Sequence, residues 1–278
     1  MVIEHMNDCY KNRRLLDSKL HEQILSLFKT YLYDGGLPDS VNAYINTKNV
    51  VKIGEVQSET INYYGEDASK YNKENKFKIK RIHDMLSSNI DNKVKRIQLN
   101  KIEDINKVRY TYYQDEFDYL ISSGLSLATK VISEPKFPLT QSSSKNLVKL
   151  YYNDVALLTN ILYKNNINAI LDDKKGVNIG SVYETVVAQE LWSHVHNLFY
   201  YDRKSASEVD FLIDDYDNLC ITPLGVKSGS DKNNFKALPK LIDDVNYRID
   251  YAYVLSNDCD VTIKDNIIYM PIYFIMFI

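Results

Sequence analysis

The chain has 278 residues, 45% of them hydrophobic and 26% charged, a balance that excludes a disordered or fibrous chain and leaves one large globular domain or two modest ones. Its formal net charge of −3 excludes a generic polyanion binder, but the sign is uneven: Lys73–Arg109 carries +6 and the remainder −9. The three cysteines, Cys9, Cys220 and Cys259, are scattered, which argues against a disulfide framework and a zinc site and suits a reducing cytoplasm.

The opening MVIEHMNDCYKNRR lacks the apolar core of a signal peptide. From Leu15 to Tyr33, apolar residues at Leu16, Leu20, Ile24, Leu27, Phe28 and Leu32 recur at helical spacing. Gly35-Gly36 stops that helix, and Ser40 or Asp39 is expected to cap the next, Val41 to Ile45. Val51 to Tyr71 reads as a helix or helix pair and Phe77 to Leu86 as another. Lys107 to Ser123 reads as a strong amphipathic helix that Gly124 ends. Leu125 to Ile132 and Val148 to Tyr152 read as strands around a polar stretch with Pro135 and Pro138. Helices followed by a hairpin are the order of a winged helix, a fold that binds DNA in some proteins and only packs in others.

Past Tyr152 the pattern changes. A short helix spans Ala156 to Leu162 and a longer one Val177 to His196, with Val182, Val186, Leu191 and Val195 on one face. Strands are expected at Leu198–Asp202, Val209–Ile213, Cys220–Val226, Tyr251–Leu255 and Ile267–Tyr273, with a helix at Phe235–Val245. This is an α/β core with helices on a sheet. The closing IIYMPIYFIMFI is shorter than the ~20 residues that span a bilayer and contains Pro271, so it reads as a buried last strand with an apolar tail, not an anchor.

The stretch EVDFLIDDYDNLCITPLGVKSG, residues 208–229, carries the chemistry. Two short strands flank a polar turn. Glu208 and Asp210 stand two apart on the first, and Gly225 and Lys227 two apart on the second, so each pair shares a side. Glu184 lies on the preceding helix. Carboxylates converging on one point hold Mg²⁺, which activates water for phosphodiester hydrolysis, and a lysine beside it orients the water or neutralises phosphate. In the usual pattern an acid stands where this chain has Gly225. Each residue also has a plain reading: Glu184 as a polar helix position, Lys227 as a strand-edge charge. His194 and His196, two apart, are wrongly spaced to chelate from one helical face and mark a solvated helix end. No GxxxxGK[ST], GxSxG, HExxH or GxGxxG occurs.

The ordered landmarks YLYDGGLPDSVNAYI (31–45), KIKRIHDML (78–86), YLISSGL (119–125), KLYYNDVALLTNIL (149–162), GSVYETVVAQEL (180–191), EVDFLI (208–213), VKSG (226–229) and YMPIYF (269–274) run along almost the whole chain. In them the chain resembles the C-terminal part of bacterial and archaeal AAA-type ATPases that bear a conserved C-terminal domain of unknown function. The resemblance implies a helical region at 1–72, a winged-helix-like region at 73–152 and, at 153–278, a PD-(D/E)XK (restriction-endonuclease-like) mixed sheet with flanking helices. It implies Glu184, Asp210 and Lys227 as site residues and Gly225 as a departure from the family's EVKSG; in a nuclease, Glu208 is expected to substitute for that missing metal ligand. The P-loop domain of that family is absent from these residues, so ATP is not an expected cofactor for this chain alone, and Mg²⁺ is the ion the site would use.

Three functions follow as expectations. The first is a cytoplasmic binding module with a degenerate nuclease-like site, contacting DNA or a protein partner through Lys78, Lys80, Arg81, Lys93, Lys95, Arg96, Lys107 and Arg109. The second is an active Mg²⁺-dependent DNA nuclease. The third is the C-terminal half of a split ATPase whose nucleotide-binding domain is a separate partner. No membrane contact is expected.

Overall fold

The computed structural model describes residues 1–71, 75–91, 97–105, 107–171, 179–202, 208–228, 237–257 and 260–278. The helices are α1 (Val2–Lys11), α2 (Ser18–Asp34), α3 (Pro38–Thr47), α4 (Val50–Tyr71), α5 (Lys76–Asp91), α6 (Asn100–Glu103), α7 (Gln114–Ser122), α8 (Val155–Tyr163), α9 (Asn168–Leu171), α10 (Gly180–Ser193) and α11 (Ala237–Ile242). The strands are β1 (Ser126–Ile132), β2 (Ser143–Tyr152), β3 (Phe199–Tyr201), β4 (Val209–Asp215), β5 (Cys220–Val226), β6 (Ala252–Ser256), β7 (Thr262–Lys264) and β8 (Ile267–Pro271). They form a mixed sheet in the order β2-β1-β3-β4-β5-β6-β8-β7. The fold is thus α+β, a mixed sheet with helices, as expected.

The chain divides into two compact units, each assembled from separated segments: 1–28, 130–144 and 190–278 form the first, 29–129 and 145–189 the second. In the first unit, β4 and β5 pair antiparallel while β5, β6 and β8 run parallel. Leu212, Ile221, Val254 and Ile267 from these strands bury one face against Ala237, Leu238 and Leu241 of α11. Across the other face, Tyr10 of α1 packs on Tyr253, Phe274 and Phe277. The apolar C-terminal run is therefore buried, as β8 and a 3₁₀ turn at Ile272–Phe277 that is shorter as a strand than the sequence suggests. The reason is Pro271, which has no N–H to continue the ladder.

The second unit is organised by the Gly35-Gly36 connection. Gly35 has φ +74°, the left-handed value that ends α2. The carboxylate of Asp154 fills the turn: Oδ2 accepts from Gly36 N at 2.8 Å, and Oδ1 accepts from Ala156 N at 2.9 Å, capping α8. Leu37 and Leu157 donate backbone N–H groups to it as well. The expected cap of α3 is corrected here. Pro38 takes the first helical position after Leu37, and Ser40 lies buried inside the helix, donating to the Asp34 carbonyl at 2.6 Å and accepting from Gln57 Nε2 at 2.9 Å.

Asp34 stands beside this turn, and its Oδ1 is buried without a hydrogen-bond partner. Burial, and then repulsion from Asp154, push its carboxyl up to about 6 against the opposing pull of Lys48 and Ser40. The folded state thus holds this proton more tightly than the unfolded chain, so its contribution to stability falls as pH rises from about 4 through 6. Asp34→Asn is expected to flatten that fall and to raise stability at neutral pH by on the order of 2 kcal/mol, read from urea unfolding across the pH range.

Two helix expectations are corrected. The expected helix from Lys107 to Ser123 is only α7 with a 3₁₀ turn at Tyr110–Tyr112 before it. Lys107 has φ +62° and Arg109 is extended, and neither conformation continues a helix. The long helix at 177–196 ends at Ser193, leaving Val195 outside it at φ +67° and 90% exposed. Residues Ser181 to Ala188 of α10 are buried on every side, so its apolar face is the whole helix.

Candidate functional site

The β4–β5 pair positions the expected acids. Phe211 pairs with Leu224, so one step further along the antiparallel register Asp210 comes level with Gly225. Residues level across an antiparallel pair point to the same face, which places the missing carboxylate beside Asp210. On its other side β4 meets β3 irregularly: Phe199 pairs with Leu212 but Tyr201 pairs with Val209. Three residues of β3 thus span four of β4, a bulge at Asp210-Phe211 that re-aims side chains there. Bulges leave no pattern in composition or alternation, and nothing in the sequence marked this one.

Asp210 is half-buried, and its Oδ2 accepts from Val226 N at 2.8 Å. The carboxylate therefore fastens the end of β5 to the bulged stretch of β4. Gly225 is buried and pairs on its other side with Val254 of β6. Lys227 follows β5, half-buried, and its backbone N donates to the Leu255 carbonyl at 2.9 Å. Glu208 is half-buried and stands immediately before β4.

Glu184 belongs to the second unit. It sits in the buried middle of α10, where the Tyr151 hydroxyl donates to Oε2 at 3.4 Å. Among the described residues no three His, Cys, Asp or Glu side chains gather as a metal-holding group. Within the first unit, Gly225 offers no side-chain oxygen, and one oxygen of Asp210 is engaged by Val226 N, so the β4–β5 pair itself presents a single acid at this level. The pattern that the resemblance implies is short of one acid here, at Gly225.

The basic residues fall in the second unit. Lys80 and Arg81 are exposed on α5, and Arg81 donates to the Ile102 carbonyl at 3.3 Å, which draws α6 alongside. Lys107 and Arg109 are exposed on the segment after α6. Lys78 is less available, lying 3.9 Å from the buried Glu116 and over the Tyr113 ring. Lys93, Lys95 and Arg96 lie outside the described residues. Of the histidines, His194 is exposed at the end of α10 and meets the Ile278 carbonyl at 2.7 Å. Among the described residues no helix is long and apolar enough to cross a membrane.

A family model described as a domain of unknown function (DUF8612) matches residues 25–168, and a second domain of unknown function (DUF4143) matches residues 179–275. No curated protein and no solved structure matches the chain.

Proposed function

The chain belongs to the DUF8612 family, and from that footing we propose that it is a non-catalytic DNA-binding module, of the kind that follows the nucleotide-binding domain in AAA-type ATPases. The eight ordered landmarks support that architecture. The nuclease-like part serves as a scaffold in this reading, with Glu184, Asp210 and Lys227 as the remnant of a PD-(D/E)XK site. The observation that carries the reading is Asp210. Level with a glycine where an acid would stand, its carboxylate is hydrogen-bonded to Val226 N and closes the sheet. The exposed cations of α5 and of the Lys107–Arg109 segment supply the phosphate contacts.

Cleavage tests the catalytic half. Supercoiled and linear DNA incubated with the protein across a Mg²⁺ and Mn²⁺ titration is expected to stay intact, and Asp210→Ala is expected to differ only in stability. Leaving Val226 N unpaired costs about 1–2 kcal/mol. Metal-dependent cleavage that Asp210→Ala abolishes would establish the active nuclease instead. A protein partner captured with no DNA affinity would favour an interaction role.

A further inference from the structure

We propose that the first unit carries a binding site for a small organic cation, an alkylammonium or guanidinium compound, apart from the Asp210 region. The site is a cavity of about 380 Å³ on the sheet face that α1 covers. Its floor is the far end of β4 with Thr222 of β5 and the start of β6, and its walls are Tyr10, Phe277 and the turn after α10. Asp210, at the opposite end of β4, is not among the lining residues. The volume suits a small ligand.

Charge and ring faces together select a cation. Asp215 and Asp217 line the cavity, and no lysine or arginine does. Tyr10, Tyr216, Tyr251 and Tyr253 add aromatic surface, whose negative faces attract a poorly hydrated cation. Asp214 also borders the cavity, but it is level with Ile221 on the face towards α11, where its Oδ1 accepts from Leu139 N at 2.9 Å. Asp215 is held ionised: burial pushes its carboxyl up, but hydrogen bonds from Asn218 and Asp217 outweigh that and bring it below its ordinary value. Burial, and then His194, hold His196 below its ordinary value, which favours its neutral form beside a cation.

The same rings already host one cation from outside. The Arg13 guanidinium lies 5.1 Å from the Tyr10 ring centre and 5.4 Å from that of Tyr253, and it donates to the Tyr253 hydroxyl at 3.1 Å. Arg13 does not line the cavity. A bare metal ion is the poorer fit, because ring faces coordinate no metal and no metal-holding group of side chains is present among the described residues.

Trp192 is the chain's one tryptophan, 57% exposed and two residues before the lining His194, so its emission reports on this turn. Agmatine and tetramethylammonium, titrated separately against the purified chain, are expected to give saturable changes in Trp192 emission and a raised melting temperature, with acetate inert. Asp215→Asn, which keeps a turn acceptor, and Tyr251→Leu are each expected to weaken binding about tenfold. Asp217→Asn, at an exposed side chain, serves where either variant misfolds, with about a threefold loss expected. No saturable response to either cation, or a response that all folded variants leave unchanged, overturns the proposal.

Discussion

Gly35→Ala is expected to unfold or nearly unfold the second unit, whereas Gly36→Ala, one residue on, is expected to be tolerated. A β-carbon on Gly35 would overlap Asp154 Oδ1 and stand 2.8 Å from the Ala156 side chain, with φ fixed at +74°. Strain of that backbone alone costs on the order of 1–3 kcal/mol, and expelling the Asp154 carboxylate adds the loss of its donors. The same Cβ on Gly36 meets nothing closer than 3.7 Å. Asp154→Ala acts from the other side of the contact. It strips the acceptor from Gly36 N and Ala156 N in a buried place, for an expected loss of about 3–5 kcal/mol. Because repulsion from Asp154 helps hold the Asp34 carboxyl up, Asp154→Ala is also expected to shift the Asp34 transition to lower pH. Chemical denaturation of the three variants checks all of this, and equal losses from Gly35→Ala and Gly36→Ala would contradict the contact.

That contact explains two of the landmarks as halves of one structure. YLYDGGLPDS ends α2 and supplies the donors, and KLYYNDVALL supplies the acid that fills them. The sequence showed each half, because a Gly-Gly stop and an Asp before an apolar run are local signals. It did not show that the halves meet, since a contact between residues 118 apart has no local signature. The same division holds at the Asp210 region. The β4 and β5 segments were legible from alternation and a polar turn, and so was the absence of an acid at Gly225. The bulge at Asp210-Phe211 and the bond from Asp210 to Val226 are properties of paired backbones, and they decide what the acid does. The Lys107–Ser123 helix failed for a related reason. Its apolar periodicity was sound, but the left-handed Lys107 and extended Arg109 break the backbone before α7 begins.

DNA affinity carries the second large effect. If the exposed Lys80, Arg81, Lys107 and Arg109 meet about four phosphates, the logarithm of affinity falls with the logarithm of salt at a slope of about −3.6. Between about 50 and 200 mM salt, that is a loss on the order of a hundredfold. Base sequence is expected to matter little, because phosphate contacts position a protein without reading bases. Replacing all four by glutamine is expected to flatten the slope towards zero, at a stability loss of about 1 kcal/mol from the Arg81 bond to the Ile102 carbonyl. The most direct test is therefore duplex DNA binding by the full chain and by this fourfold variant over that salt range. The binding-module account predicts a steep slope that the variant loses. Absent or salt-insensitive binding, or a slope that survives in the variant, would contradict it.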